Sequence, residues 1–312
     1  MDPVYTDFKK ISDSLRVDRL CRKSGMIRDI VFDIILVENQ LPIFILQDLF
    51  LLAQPNLPDT LKMFSLYGFA SIFLDYYVCQ AVPIPPVHNI IVLMQSYFPE
   101  AKHFVDLLRL CLQPPNRDDT ERVLLIDSKT AANIRTLHQS GIKFEKASAF
   151  DKTLLEIEFI SKKKVLVIPQ FIVSNLTLHL LRNLQIFEEL HCDTNYVNDY
   201  GVLLHRLLST PEDVELLTEM RVIVNQSLGN EEVSTFFQEL SRDARDDVDY
   251  FYYTGLVKDL LGYCESRRHK WKANLKQNYF SNPWASISVI RVFIMLILTF
   301  IQAVCSILAL LQ

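Results

Sequence analysis

Glu38, Glu188 and Asp199 are the acids of this chain that could take a proton from a substrate. A carboxylate held in apolar surroundings can act as a general base. Glu38 interrupts the apolar run IVFDIILVENQLPIFILQDLFLL, yet no His, Ser or Cys stands near it to complete a site. Its expected role is therefore structural, with its side chain hydrogen-bonded to backbone groups that Pro42 frees. The six cysteines, Cys21, Cys79, Cys111, Cys192, Cys264 and Cys305, lie tens of residues apart and form no CxxC, and the seven histidines give no HExxH or Cys/His zinc spacing. The seven glycines never come within six residues of one another, which excludes the dinucleotide and Walker phosphate loops and the GxSxG elbow. The run Lys162 to Lys164 reads as a solvated turn rather than an anion site. No catalytic residue, metal site or cofactor is expected, and the chain reads as a binding protein rather than an enzyme.

Most segments have helical signatures. Ser174 can cap a helix carrying Leu176, Leu180, Leu184 and Phe187 on one face, and Thr210-Pro211-Glu212-Asp213 opens another with a cap, a first-turn proline and acids at the positive dipole end. A third starts at Asn230-Glu231-Glu232 and runs through Val233, Phe236, Phe237 and Leu240, and a fourth spans Ser128 to Gln139 and is closed by Gly141. Around Glu38-Asn39-Gln40-Leu41-Pro42 two core helices should meet at a polar joint, with Asn39 as cap and Pro42 in the first turn. Only residues 154–169 alternate with a period of two, so one β-hairpin is expected there, turning at Ser161 to Lys164 and ended by Pro169.

The tail is the strongest single signal. Val292 to Leu311 carries no charge, and at about 1.5 Å per residue it would reach roughly 30 Å, the hydrocarbon thickness of a bilayer. A transmembrane helix over 292–311 is expected, behind a basic neck of Arg267, Arg268, Lys270, Lys272, Lys276 and Arg291, with Trp271 and Trp284 at headgroup depth. The whole chain is formally −5, so six basic neck groups leave residues 1–266 at −11. The lipid bilayer is thus an expected partner, and nucleic acid is not. The body is expected on the cytosolic side, because Lys and Arg flanking a span favour that side, and nothing at the N-terminus reads as a secretory signal. An outward-facing body is the alternative, and only then could the sequons at Asn175 and Asn225 carry glycan. Thr299, Gln302 and Ser306 share a helical face and could pair two copies within the membrane.

Several segments together resemble the plant-specific domain-of-unknown-function 247 family. They are Val37 to Pro42, Leu137 to Phe144, the hairpin ending at Ile168-Pro169, Leu181 to Leu184 with Phe187-Glu188, Tyr196 to Tyr200, and Glu212 to Val214. Trp271 to Ala273, Tyr279-Phe280, Pro283-Trp284 and the apolar tail close the match, which runs from about Ile30. The resemblance implies a mostly helical, single-span plant membrane protein without established catalysis, some members being associated with self-incompatibility. It also implies a missing N-terminal third, since family members carry a hundred or more residues before the ENQLP segment.

The expected architecture is mainly α, with a short segment 1–29, a helical domain 30–284 holding one small hairpin, and a membrane helix 292–311. The expected function is that of a membrane-anchored interaction protein binding a protein partner through its helical body. A cell-surface recognition determinant is the alternative, followed by an enzyme acting near the membrane.

Overall fold

The computed structural model describes residues 26–56, 66–73, 96–114, 133–147, 152–226, 228–242, 251–275, 291 and 294–302. The chain divides into two units, Met1–Leu260 and Leu261–Gln312. The first opens with α1 (Met26–Ile34), a 3-10 turn (Val37–Asn39) and α2 (Ile43–Ala53), followed by α3 (Leu66–Phe73) and α4 (Phe104–Leu112). Next come α5 (Ile134–Gln139), β1 (Lys143–Lys146), β2 (Glu158–Ile160), β3 (Val165–Ile168) and β4 (Phe171–Val173). The series α6 (Asn175–His191), α7 (Tyr196–Leu207), α8 (Pro211–Glu219), β5 (Ile223–Asn225) and α9 (Asn230–Arg242) follows, and α10 (Thr254–Leu275) begins in the first unit and ends in the second.

The core sits around α6 and α7. Leu180, Leu181, Leu184 and Phe187 of α6 are buried, as are Val197, Tyr200, Leu203, Leu204 and Leu207 of α7. α7 packs on α9 at Gly201, where an added Cβ would lie 2.9 Å from Leu240 Cδ2, so any larger residue here would require the buried Leu240 side chain to shift. The α8 start follows the sequence closely: Thr210 and Asp213 form a capping box with Pro211 in the first turn. α5 is shorter than expected, because Asn133 caps it by accepting from Thr136 N, and the expected start at Ser128 lies outside the described residues. Gly141, at φ 85°, ends α5 as expected.

The strands depart from a lone hairpin. β2 and β3 do pair antiparallel across the lysine turn, where Lys164 takes φ 57°. However, β3 is the centre of a three-stranded sheet, with β1 parallel on its other edge and Phe144 opposite Leu166. A second sheet joins β4 to β5 in parallel, Phe171 opposite Ile223, with α6, α7 and α8 as the crossover a parallel pair requires. These strands have three or four residues, too few for a period of two to show in sequence.

The expected transmembrane helix is not supported. Among the described residues no helix is long and apolar enough to cross a membrane. α10 has the length, at 22 residues, but its second half carries the basic neck. The described apolar residues of the tail that are helical are 294–302. The single-pass C-terminal anchor and the sidedness drawn from it lose their basis. Thr299 donates to its own helix, at Met295 O (2.8 Å), Gln302 is exposed, and Ser306 lies outside the described residues.

Candidate functional site

The ENQLP segment forms a joint, but with different residues in the working roles. Pro42 is the N-cap of α2 rather than a first-turn residue, and Asn39 ends the 3-10 turn, its amide donating to Asp33 O (3.1 Å). Glu38 is exposed, so the structural role expected of it falls to Gln40. Gln40 Nε2 donates to Ile34 O at the end of α1 and to Leu36 O, which also accepts from Asn39 N, both at 2.7 Å. Its Oε1 accepts from Val105 N (3.1 Å) in the first turn of α4. Asn183 on α6 holds the joint from the other side, accepting from Val37 N (3.0 Å) and donating to His179 O.

This joint mounts α2 against the segment before α4. Ile43 N donates to Lys102 O (2.9 Å), and Lys102 N in turn donates to Asp106 Oδ2 (3.0 Å), whose other oxygen binds Arg109 at 2.9 and 3.0 Å. His103 caps α4 through Nδ1, which accepts from Asp106 N (3.2 Å) and must therefore be unprotonated; burial lowers its pKa and keeps it so. Between the two walls lies a groove of about 540 Å³, lined among others by Pro42, Phe44, Gln47, Phe98, Pro99 and Lys102.

Beside the groove α2 is open. Only Ile43 of its eleven residues is buried, while Phe44, Ile45, Leu49, Leu51 and Leu52 of the helix and Leu41 before it are exposed, from 37% at Ile45 to 75% at Leu52. At about 100° per residue the five on the helix share one arc roughly 160° wide, and Ile43, Leu46 and Phe50 face the opposite way. The second expected core helix is thus an exposed apolar one. Its sequence IFILQDLFLLA lacks a polar face, which by itself points to a buried helix, so nothing in the sequence marked it as exposed.

The buried acids are occupied elsewhere. Glu188, with no exposed surface, accepts at Oε2 from Val197 N (2.8 Å), Asn198 N (3.1 Å) and Asn198 Nδ2 (3.3 Å), so it caps α7 from α6. Burial raises its pKa to about 7, against the lowering effect of those backbone donors. Asp199 accepts from Tyr252 N (2.6 Å) and is likewise raised by burial to about 7. Asp213 caps two helices, its own by accepting from Thr210 N (3.1 Å) and α5 by accepting from Arg135 N (2.9 Å). None of the three lines the groove. Among the described residues no group of three or more His, Cys, Asp or Glu could hold a metal ion.

The other residues singled out in the sequence are scattered. Arg267, Arg268, Lys270, Trp271 and Lys272 lie on α10, Arg291 is exposed, and Lys276 and Trp284 fall outside the described residues. Asn175 is exposed at the start of α6, whereas Asn225 accepts from Leu228 N (3.0 Å) and donates to Leu228 O.

The family described as plant protein of unknown function, domain of unknown function 247, matches residues 5–298, and the chain belongs to it. The match begins well before Ile30, where the motif residues alone had placed it. The chain is similar to the UPF0481 protein At3g47200 of Arabidopsis thaliana, at 26% identity over 91% of this chain and 61% of that protein. It is also similar to the putative UPF0481 protein At3g02645 of the same plant, at 23% identity over 59% of this chain and 34% of that protein. The chain thus spans about three fifths of the first relative's length and one third of the second's. No solved structure matches it.

Proposed function

We propose that this chain is an interaction protein that binds a protein partner through the apolar face of α2 and the groove beside it. The observation that supports this reading is the exposure of six large apolar side chains, five on one arc of α2 and Leu41 just before it. Taken together they present on the order of 600 Å² of apolar surface, the upper end of what a monomer exposes in one patch. The mount favours the same reading, because Gln40 and the Ile43–Lys102 bond hold both walls of the groove in place, which lowers the ordering cost of binding. A photoreactive residue in place of Leu49, in the chain expressed in plant cells, tests it. The expected result is a covalent adduct with a protein, well above that from the same residue in place of the exposed Lys163. Equal yields at the two positions overturn the reading.

A further inference from the structure

Residues 251–253 lie against α7 and run straight into α10. Phe251 and Tyr253 are buried, Tyr252 meets Tyr196 edge to face at 5.2 Å, the Arg206 guanidinium stands 5.1 Å over the Phe251 ring, and Tyr253 donates to Leu155 O (2.7 Å). At the centre Tyr252 N donates to Asp199 Oδ2 (2.6 Å), the one donor to that carboxylate among the described residues. Asp199 is 5% exposed and makes no ion pair among the described residues. Water would offer a carboxylate several donors, so a single amide replaces only part of the hydration that burial removes.

The groups around Asp199 do not make up the difference. Arg206, two turns along α7, favours ionisation, but burial outweighs it and the Tyr252 bond together and raises the Asp199 pKa from 3.8 to about 7. Glu188 of α6 adds a like charge when it ionises; its Oε1 has no partner among the described residues, and Arg109 of α4, which favours its ionisation, is bound by Asp106. Tyr200, Tyr252 and Tyr253 present phenols that burial keeps protonated, and Glu156, before β2, acts on Tyr252 as a further negative charge.

We propose that the segment Phe251–Tyr253, which leads into α10, is a pH-sensitive latch on α7, closed over a neutral Asp199 and released more readily once Asp199 is ionised. The neutral acid still accepts from Tyr252 N, so protonation keeps the bond, whereas ionisation leaves a dry charge that opening hydrates. Because the closed form has the higher pKa, it is favoured at low pH and loses ground as pH rises from 3.8 to about 7. Hydrogen–deuterium exchange of the full chain, read on peptides covering Tyr252 and Thr254 and corrected for intrinsic rates, tests this. Opening that releases one proton should cost these amides about fiftyfold in protection between pH 5 and 7, and only about twofold more from pH 7 to 9. Asp199→Asn, which keeps an acceptor for Tyr252 N without the charge, should remove the dependence, with circular dichroism to show that it is folded. The same rise in the folded Asn variant, or a parent whose protection is flat from pH 5 to 7, overturns the latch. Where the variant does not fold, the parent decides: a rise that continues as steeply above pH 8, or an equal loss in the α9 amides from Val233 to Leu240, overturns it.

Discussion

Replacing Gln40 with alanine removes three half-buried hydrogen bonds together, to Ile34 O, Leu36 O and from Val105 N. Each such bond contributes about 1 kcal/mol net, so the expected loss is about 3 kcal/mol, and more if the freed carbonyls stay dry. Glu38→Ala, two positions away on an exposed side chain, should stay within about 0.5 kcal/mol of the parent. Gln40→Glu sharpens the comparison. It keeps an acceptor for Val105 N but sets a carboxylate oxygen against two carbonyl oxygens 2.7 Å away, so it should cost as much as alanine or more. Urea unfolding followed by circular dichroism measures all three, and with a slope of about 2 kcal/mol per molar the Gln40 variants should lose about 1.5 M in midpoint. Equal effects of Glu38→Ala and Gln40→Ala would refute the placement of the joint's polar work on Gln40.

Three further outcomes follow from groups outside the joint. Because the folded Glu188 holds its proton up to pH about 7, against 4.5 unfolded, its contribution to stability falls as pH rises through that window; Glu188→Gln should gain up to about 3 kcal/mol at pH 8 and little at pH 4.5, and an equal effect at both pH values in urea melts would contradict this. Asp213→Ala removes caps from α5 and α8 at once and should cost about 3 kcal/mol, with Asp213→Asn losing less; a thermal midpoint unchanged in the alanine variant would show that the caps are replaced. Arg221 ends α8 at φ 58°, a conformation that costs a non-glycine residue about 1 kcal/mol, so Arg221→Gly should raise stability by up to that amount, whereas a fall would show that its side chain matters more than its backbone.

How far the sequence could be read depended on whether the signal was local. Caps are local: Ser174, Thr210-Pro211 and Gly141 stand where the chain demanded them, and α6, α8 and α9 follow. β1, β4 and β5 find their partners 20 to 50 residues away and are too short to show a period, so only the β2–β3 hairpin could be read. At the joint the sequence showed that polar residues interrupt an apolar run, but not which one turns inward. That depends on Val105 and Asn183, 65 and 146 residues away. Apolar content misled twice in opposite directions. It assigned α2 to the core, where the fold leaves it exposed, and it assigned the tail to a bilayer, where no described helix is long and apolar enough to cross one.

The account depends most on α2 being open in the isolated chain and covered in its working state. Leu52→Cys reads this directly, since residue 52 is 75% exposed and a thiol there should react freely with a maleimide in dilute purified protein. Labelling at residue 52, quantified by peptide mass spectrometry so that the six native cysteines do not interfere, should then slow at least about tenfold in concentrated plant extract, while a cysteine in place of Lys163 reacts equally in both. The same rate at residue 52 under both conditions would mean that nothing binds the face, and would contradict the account.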